Sequence, residues 1–479
     1  MTDFTLTAEQ SAIIAAARDT DDNLLVAALA GAAKTSTLVL IAKELNKTSI
    51  LCLAFNKRIA VEMEERLPPN CDAMTLNSLG HRVWGKTIGK RLRLEHRKTY
   101  NNVKSVLKDL PQAQQNAAWE VFAEVIRAVD AGKIAGYVPD GHYENAKGLM
   151  GDEDFFDSLE DAPTTLIKMM VKSATVRSFK QAWEGTIDFA DQILMPTIFP
   201  CSFPQYPLVL GDEGQDFSAL NHATLRKLVG KRLIVVGDEC QSIYGFRGAH
   251  SDSMEILQRE FNMTKLILSI SFRCPKAIIK EAQWRAPHMR WPDWAKDGSV
   301  TRLYEWSVDD LPDKPVIICR NNAPIFSMAI KLLKAGRYPE IVGNDIGKML
   351  IKILKKFGNE SMAQEQVYNA IDLWIEDKLK RSRNEGKVYD QADCLRIFAD
   401  EGKYLGEIIA YAEHLIAAAG PVKMMTGHKC KGLEFPDIFL LDRELIRTED
   451  DQQEQNLLYV MQTRAQERLV YINTEGFVE

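Results

Sequence analysis

Between residues 23 and 45 an apolar run, NLLVAALA, breaks at GAAKT and resumes as TSTLVLIAKEL, with Leu38, Ile41, Ala42 and Leu45 at helical spacing. That order predicts a buried strand, a tight turn and a helix beginning at Lys34. The pattern recurs. SILCLAF (49–55) reads as a second buried strand, followed by a helix over about 57–66 and a PPN break. YPLVLGDE (206–213), KRLIVVGDE (231–239), KPVIICR (314–320) and DIFLLD (437–442) have strand character, and FSMAIKLLKAG (326–336) is helical. The chain closes with a helix around 454–467 and a strand, RLVYI (468–472). Strands alternating with helices predict parallel sheets with crossover helices. Residues 86–190 and 345–419 interrupt the alternation with helical patterns, and an acidic segment, GDEDFFDSLEDA (151–162), falls in the first of them. The expected fold class is α/β, as two parallel-sheet units, each carrying a mainly helical insertion.

A chain of 479 residues is too long for one core and suggests roughly three or four structural units. Hydrophobic residues at 46% and charged residues at 26% exclude wholesale disorder. No apolar run approaches the ~20 residues of a membrane span. The opening MTDFTLTAEQ has neither the basic flank nor the apolar core of a signal peptide. A soluble, cytoplasmic protein of a bacterial or phage-infected cell is expected. The eight cysteines include no C-x-x-C pair and read as reduced, mostly buried thiols. A net charge of −6 gives no global attraction to nucleic acid. Two segments run against it, GKRLRLEHRKTY (89–100) and DKLKRSRNEGK (377–387), and each alone reads as a solvated helix face.

The turn ALAGAAKT approaches the phosphate-loop pattern G-x-x-x-x-G-K-[ST], with Ala28 and Ala33 where glycine is usual. A helix starting at Lys34 would aim free N–H groups at a phosphate. Lys34 could reach the β/γ-phosphates, and the Thr35 hydroxyl could hold Mg²⁺. If residue 33 needs a positive φ, alanine costs ~1–2 kcal/mol there; if φ is negative, only a methyl is crowded. Asp212 and Glu213 stand just past a strand end, where open α/β sheets bind ligands. One acid can hold the Mg²⁺ shell while the other activates water. Asp238 and Gln241 follow another strand, and Tyr244, Phe246 and Arg247 form an aromatic–arginine cluster suited to stacking bases. Taken singly, each of these is also readable as an ordinary turn.

Taken in order along nearly the whole chain, these segments resemble the helicase motifs of superfamily I. The resemblance is to the UvrD/Rep/PcrA group, and within it to F-box DNA helicase-like and phage UvrD-like helicases. It implies that Gln10 of FTLTAEQ reads adenine. Gly31, Ala32, Ala33, Lys34, Thr35 and Ser36 would surround the phosphates. Phe55, Asn56 and Lys57 of LAFNKRIAVEM, with Thr75 and Asn77 of TLNSLGHRVW, would touch the DNA strand. Asp212 would bind the metal with Thr35, and Glu213 would be the catalytic base. Gln241 would sense the γ-phosphate, and Tyr244, Phe246 and Arg247 would meet DNA. SISFRCP (269–275) puts Phe272 against adenine and Arg273 near the γ-phosphate. MMTGHKCKGLEFPDIFLL (424–441) supplies Thr426 and His428 to DNA and Glu434 to the nucleotide. EQNLLYVMQTRAQERL (454–469) supplies Arg464 as a second arginine finger.

By the same resemblance the chain would be an ATP-dependent, Mg²⁺-requiring single-stranded DNA translocase and DNA helicase of 3′→5′ polarity. Its fold would be two RecA-like motor domains. Core 1A would be residues 1–85 and 191–270, with insertion 1B at 86–190. Core 2A would be 271–344 and 420–479, with insertion 2B at 345–419, short for the group. Single-stranded DNA and single-strand/duplex junctions would be its substrates, repair, recombination or replication proteins its partners, and a monomer its solution state. The alternative is a DNA-stimulated ATPase switch in a repair, recombination or defence complex, without unwinding. No nuclease is expected after the last motif. The departures from the group's pattern are Ala28, Ala33, Asn77 in place of histidine, Gly214, and Gln455 and Asn456 in place of arginines. The tryptophans of QWRAPHMRWPDWAKDG (283–298) read as packing residues.

Overall fold

The computed structural model describes residues 6–159, 161–243, 252–343, 345–380, 382, 384–449 and 451–478. Tyr244, Phe246 and Arg247 therefore lie outside the described residues. The chain divides into two compact units, Met1–Ser269 and Ile270–Glu479.

The first unit begins with α1 (Ala8–Asp19), opened by a capping box in which Thr7 Oγ1 accepts from the Gln10 N–H and Gln10 Oε1 from the Thr7 N–H. Then come β1 (Leu24–Ala28), α2 (Lys34–Glu44), β2 (Ile50–Leu53), α3 (Lys57–Glu64), β3 (Cys71–Met74) and α4 (Leu76–Ile88). After an excursion, β6 (Tyr206–Gly211), α11 (Ala219–Leu228), β7 (Val229–Gly237), α12 (Ser253–Glu260) and β8 (Thr264–Leu268) complete a parallel sheet. Its order is β3-β2-β6-β7-β1-β8. The central strands are buried on both faces, which is why they read as continuous apolar runs. The excursion comprises β4 (Arg93–Leu94), α5 (Lys98–Asp109), α6 (Gln112–Glu120), α7 (Phe122–Ala135), α8 (Asp152–Asp157) and α9 (Thr165–Trp183). It returns through β5 (Thr186–Ile187), paired in parallel with β4, and α10 (Asp191–Ile198). Val103, Val125, Phe155 and Val171 give it a core of its own.

The second unit begins with α13 (Lys276–Ala282), β9 (Ser299–Arg302), β10 (Val316–Cys319), α14 (Asn322–Lys334) and β11 (Pro339–Ile341). Four helices follow: α15 (Asp345–Phe357), α16 (Gln364–Leu379), α17 (Glu385–Ala399) and α18 (Leu405–Ala417). The unit closes with β12 (Val422–Thr426), α19 (Gly427–Cys430), β13 (Phe435–Leu441), α20 (Gln452–Gln462) and β14 (Ala465–Ile472). These strands form a parallel sheet in the order β11-β12-β10-β13-β14-β9. Here the intervening helices have no separate core. Leu350, Val367, Leu395 and Leu415 join Ile317, Phe326 and Met424 in one apolar cluster. Asp390 of α17 also caps α14, its carboxylate accepting the N–H groups of Asn322 and Ala323 at 3.1 and 3.2 Å.

One sequence expectation needs correcting. The last helix ends at Gln462 rather than near 467, because Ala465 onward pairs with both β13 and β9. Two flanking strands outweigh the helical spacing, and Arg464 sits in the turn between helix and strand. No helix among the described residues is long and apolar enough to cross a membrane.

Candidate nucleotide and nucleic-acid site

In the first unit the ends of β1, β7, β6 and β2 stand side by side at the carboxyl edge of the sheet. The loop after β1 closes through the Ala32 N–H donating to the Leu29 carbonyl, and Gly31 has φ 74°. Ala33 has φ 58° and ψ 40°, the left-handed region. The costlier of the two geometries is therefore the one adopted, because the turn must reverse sharply before α2 starts at Lys34. Ala33 has no side chain to cap that helix, and its carbonyl instead accepts from the N–H and hydroxyl of Thr37. The first N–H groups of α2 have no partner within the helix. Ser36 accepts a hydrogen bond from Arg66 at 3.0 Å.

Thr35, at the start of α2, donates its hydroxyl to Asp212 Oδ2 at 2.6 Å. Asp212 is buried, and that burial together with neighbouring Glu213 pushes its carboxyl up to about 6, against the opposing effects of Thr35 and Lys34. A hydroxyl and a carboxylate held together offer hard oxygen ligands of the kind Mg²⁺ takes alongside phosphate and water. A cation there would favour the ionised carboxylate. Glu213 is also left-handed, at φ 54°. Its carboxylate accepts from the Gln215 amide at 2.5 Å, and Gln215 Oε1 accepts the Asp238 N–H at 2.9 Å. Asp238 Oδ2 in turn accepts from Gln241 at 2.6 Å, and burial raises the Asp238 carboxyl. Thr35, Asp212, Glu213 and Gln241 are thus tied into neighbouring loops of one sheet edge. Lys34 acts electrostatically on both Asp212 and Asp238. Gln10 is buried in its capping box at the start of α1.

The residues expected to meet DNA occupy the other end of the same edge. From β1 to β3 is four strand steps, about 19 Å at ~4.8 Å each. Asn56 caps α3 by accepting from the Ile59 N–H, and Thr75 caps α4 by accepting from the Ser78 N–H. Two helix N-termini, favourable for phosphate, therefore stand side by side. Phe55 is half exposed and Lys57 is exposed beside them. Asn77 donates to the backbone carbonyl of Phe189, a residue the sequence reading passed over. The Phe189 side chain is 66% exposed, an unusual place for a phenylalanine.

Phe189 is held by ionic anchors. Asp188 and Asp191 flank it, each accepting the other's backbone N–H. Lys98 Nζ lies 2.5 Å from Asp191 Oδ2 and donates to the Ser178 carbonyl at 2.8 Å. Lys133 pairs with Asp188 and, at 3.0 Å, with Asp191 Oδ1. Burial opposes ionisation of Asp191, but Lys133 and Lys98 outweigh it and hold its carboxyl below the usual range. Two positive and two negative side chains, nearly devoid of solvent, thus bind α5, α7 and α9 to the turn that presents Phe189. Its signal in the sequence was an aromatic between two aspartates, DFAD, which reads equally well as a polar turn.

In the second unit the candidates fall at opposite edges of the sheet. Thr426 ends β12 and His428 lies in α19, level with the carboxyl end of β13. Arg273, Glu434 and Arg464 gather at the amino end of β13, six residues or about 20 Å away at ~3.3 Å per residue. Arg273 Nη2 pairs with Glu434 Oε1 at 2.5 Å, and Gln466 donates to the other Glu434 oxygen at 3.0 Å. Arg464 is almost wholly buried, donating to the Val460 carbonyl and to Thr463 Oγ1. Burial and the nearby Arg273 lower its affinity for a proton. Phe272 stacks on Trp294 with centroids 6.2 Å apart and planes 26° apart. Trp294 is 69% exposed despite that stack. Trp284 does serve as structure, donating to Gln462 at 3.1 Å.

The family model for the UvrD/REP helicase N-terminal domain matches residues 6–262, more than half of the chain. The chain belongs to the UvrD/REP helicase family. The model for the UvrD-like helicase C-terminal domain matches residues 421–472. F-box DNA helicase protein 1 of Schizosaccharomyces pombe is 23% identical over 98% of this chain and 57% of its own length. DNA helicase II of Escherichia coli is 24% identical over 59% of this chain and 41% of its own. ATP-dependent DNA helicase Rep of Escherichia coli is 34% identical over 20% of this chain and 16% of its own. The chain spans about half the length of the curated relatives it matches.

Against the UvrD/REP pattern, three departures have identifiable surroundings. A Cβ on Gly214 would lie 2.4 Å from Val235 Cγ1 and 3.0 Å from Met254 Sδ, so these larger neighbours exclude alanine. Asn456, buried on α20, accepts from Arg285 at 2.9 Å, and Gln455 donates to the Thr448 carbonyl at 2.7 Å. Both amides are thus engaged within the unit, and a guanidinium from outside α20 stands beside position 456.

Proposed function

We propose that this chain is a Mg²⁺-dependent ATPase that translocates 3′→5′ on single-stranded DNA and acts as a DNA helicase. The observation that carries the reading is the linked set Thr35–Asp212 and Glu213–Gln215–Asp238–Gln241. These hydrogen-bonded side chains lie on adjoining loops beside a helix N-terminus, which supports reading them as a metal-ligand pair, a carboxylate base and a γ-phosphate sensor. Bound Mg²⁺ would be held by Thr35 and Asp212 and supplies charge neutralisation at the phosphates. Lys34 and the N–H groups of α2 bind the phosphate chain. Glu213, oriented by Gln215, accepts the proton of the attacking water, and Gln241 orients that water. Gln10 and Phe272, the latter with Trp294 beside it, take the adenine. Arg273 and Arg464 stabilise the transferring phosphoryl group, with Glu434 steadying Arg273 until nucleotide binds.

In this reading residues 1–85 and 191–270 form core 1A and 86–190 insertion 1B, while 271–344 and 420–479 form core 2A and 345–419 insertion 2B. DNA is held by Phe55, Asn56, Lys57, Thr75 and Asn77, joined by Phe189, and by Thr426 and His428. Bases stack regardless of identity, so movement is nearly independent of sequence. Its support is the shared sheet edge of the first unit, the family membership and the names of the relatives.

The deciding experiment is ATP hydrolysis with and without single-stranded DNA, wild type against Glu213→Gln. Strong stimulation, lost in the variant while ATP still binds, is expected. Absence of stimulation in the wild type overturns the motor. Forked duplexes with 3′ or 5′ tails then separate a helicase from a DNA-stimulated switch, since hydrolysis without strand displacement identifies the switch.

A further inference from the structure

Helix α4 leaves the nucleic-acid end of the first sheet carrying a line of cations. Thr75 caps it and Ser78 is exposed on its first turn, with Arg82 and Lys86 following one and two turns later on the same face. Gly89 ends the helix in the left-handed region and turns the chain into Lys90, Arg91 and Arg93, with Arg97 beyond β4. All six basic side chains are exposed, and residues 82–97 hold only one acid, Glu95. Thirteen helical residues span about 20 Å.

What marks this line is the density of its cations together with the lack of counter-charge. Among the described residues, no carboxylate lies within ion-pair distance of Arg82, Lys86, Lys90, Arg91, Arg93 or Arg97. By contrast, Arg18, Arg226 and Lys231 of the same unit are paired, with Asp19 at 2.7 Å, Glu260 at 2.6 Å and Asp21 at 3.0 Å. In a chain of net charge −6, residues 82–97 carry six exposed cations against one acid. Their neighbours give the line a direction. Lys90 donates to the Trp183 carbonyl and Arg93 to Thr186 Oγ1, both on the strand side that leads through β5 to Phe189. Asn77, at the start of the same helix, holds the Phe189 carbonyl.

We propose that this stripe binds the phosphates of single-stranded DNA beyond the residues already assigned, lengthening the contact by several nucleotides. The proposal rests on the DNA-binding reading above for its starting point at Thr75 and Asn77. Charge complementarity selects a polyanion, and continuity with that end of the sheet selects the same strand.

The test is equilibrium binding, without ATP turnover, of the full chain to oligonucleotides of about 8 and about 24 nucleotides, bracketing common site sizes. The variant is Arg82→Gln/Lys86→Gln/Arg91→Gln. Three lost phosphate contacts should weaken the longer oligonucleotide roughly ten- to fifty-fold and flatten its log–log salt slope by about 2. The shorter one should bind as before, and Arg82→Lys/Lys86→Arg/Arg91→Lys should restore the longer. All three side chains are exposed, so the unfolding transition should not move. Equal binding of the longer oligonucleotide by variant and wild type overturns the proposal, as does loss confined to duplex. A wild type that binds in this length-dependent way without DNA-stimulated hydrolysis would leave the stripe standing and remove the motor.

Discussion

Gln215 joins Glu213 to Asp238: its amide nitrogen donates to the Glu213 carboxylate, and its amide oxygen accepts the buried Asp238 N–H. One side chain therefore sets the direction of an acid on one strand end from the backbone of the next strand. Gln215 itself is buried.

Replacing it separates orientation from binding. In Gln215→Ala the Asp238 N–H loses its partner, at about 1–3 kcal/mol of stability. Glu213 loses its fixed direction, and a small misplacement of a base costs on the order of 100-fold in rate. Steady-state kinetics should show kcat reduced about 10- to 100-fold with KM for ATP changed less than about threefold. An unchanged kcat would mean that Glu213 is aimed by something else.

Ala33 is the most economical residue to change. Its left-handed backbone costs ~1–2 kcal/mol for alanine, against ~0.5–1 kcal/mol of chain entropy for glycine. Ala33→Gly should raise the unfolding free energy by roughly 0.5–1 kcal/mol in denaturant titration and leave ATP affinity unchanged or improved. Weaker ATP binding would show that the methyl group shapes the loop.

For Phe189 the two readouts part completely. Its exposed ring contributes little to folding, so Phe189→Ala should shift stability by no more than about 0.5 kcal/mol. Loss of one stacked base corresponds to ~1–3 kcal/mol, about 5- to 150-fold in single-strand affinity, with Phe189→Trp retaining it. Fluorescence anisotropy with a labelled oligonucleotide measures this, and identical affinities would remove Phe189 from the DNA contact.

Legibility followed the range of the interactions. Strands buried on both faces announced themselves as apolar runs, and the start of α2 at Lys34 was readable from the spacing that follows it. The backbone sign at Ala33 was not, since both signs suit the same letters. Nor was the end of α20, which is decided by β13 and β9 far away in sequence. The anchors of Phe189 come from Lys98 and Lys133, which lie 93 and 55 residues from their acidic partners. No local pattern marks such a pair. Tertiary partners also explain Gly214, which had looked like a mere departure until Val235 and Met254 were seen against it.

The helical segments 86–190 and 345–419 differ in how far they share a core with the rest of their unit. Part of the first rests on a core of its own, while Val138, Phe179 and Ile187 pack with Trp84 and Leu220 of the helices that flank the sheet. The second shares its core with the sheet beneath, where Phe326 and Phe398 meet edge to face at 4.9 Å and Asp390 caps α14. To swing on a hinge, α15–α18 would have to expose that common core, at ~1.5–3 kcal/mol for each large side chain uncovered. Several such residues together exceed what one nucleotide-binding event supplies. The second unit is therefore built to travel as a single piece, its helical segment a fixed fin rather than a flap.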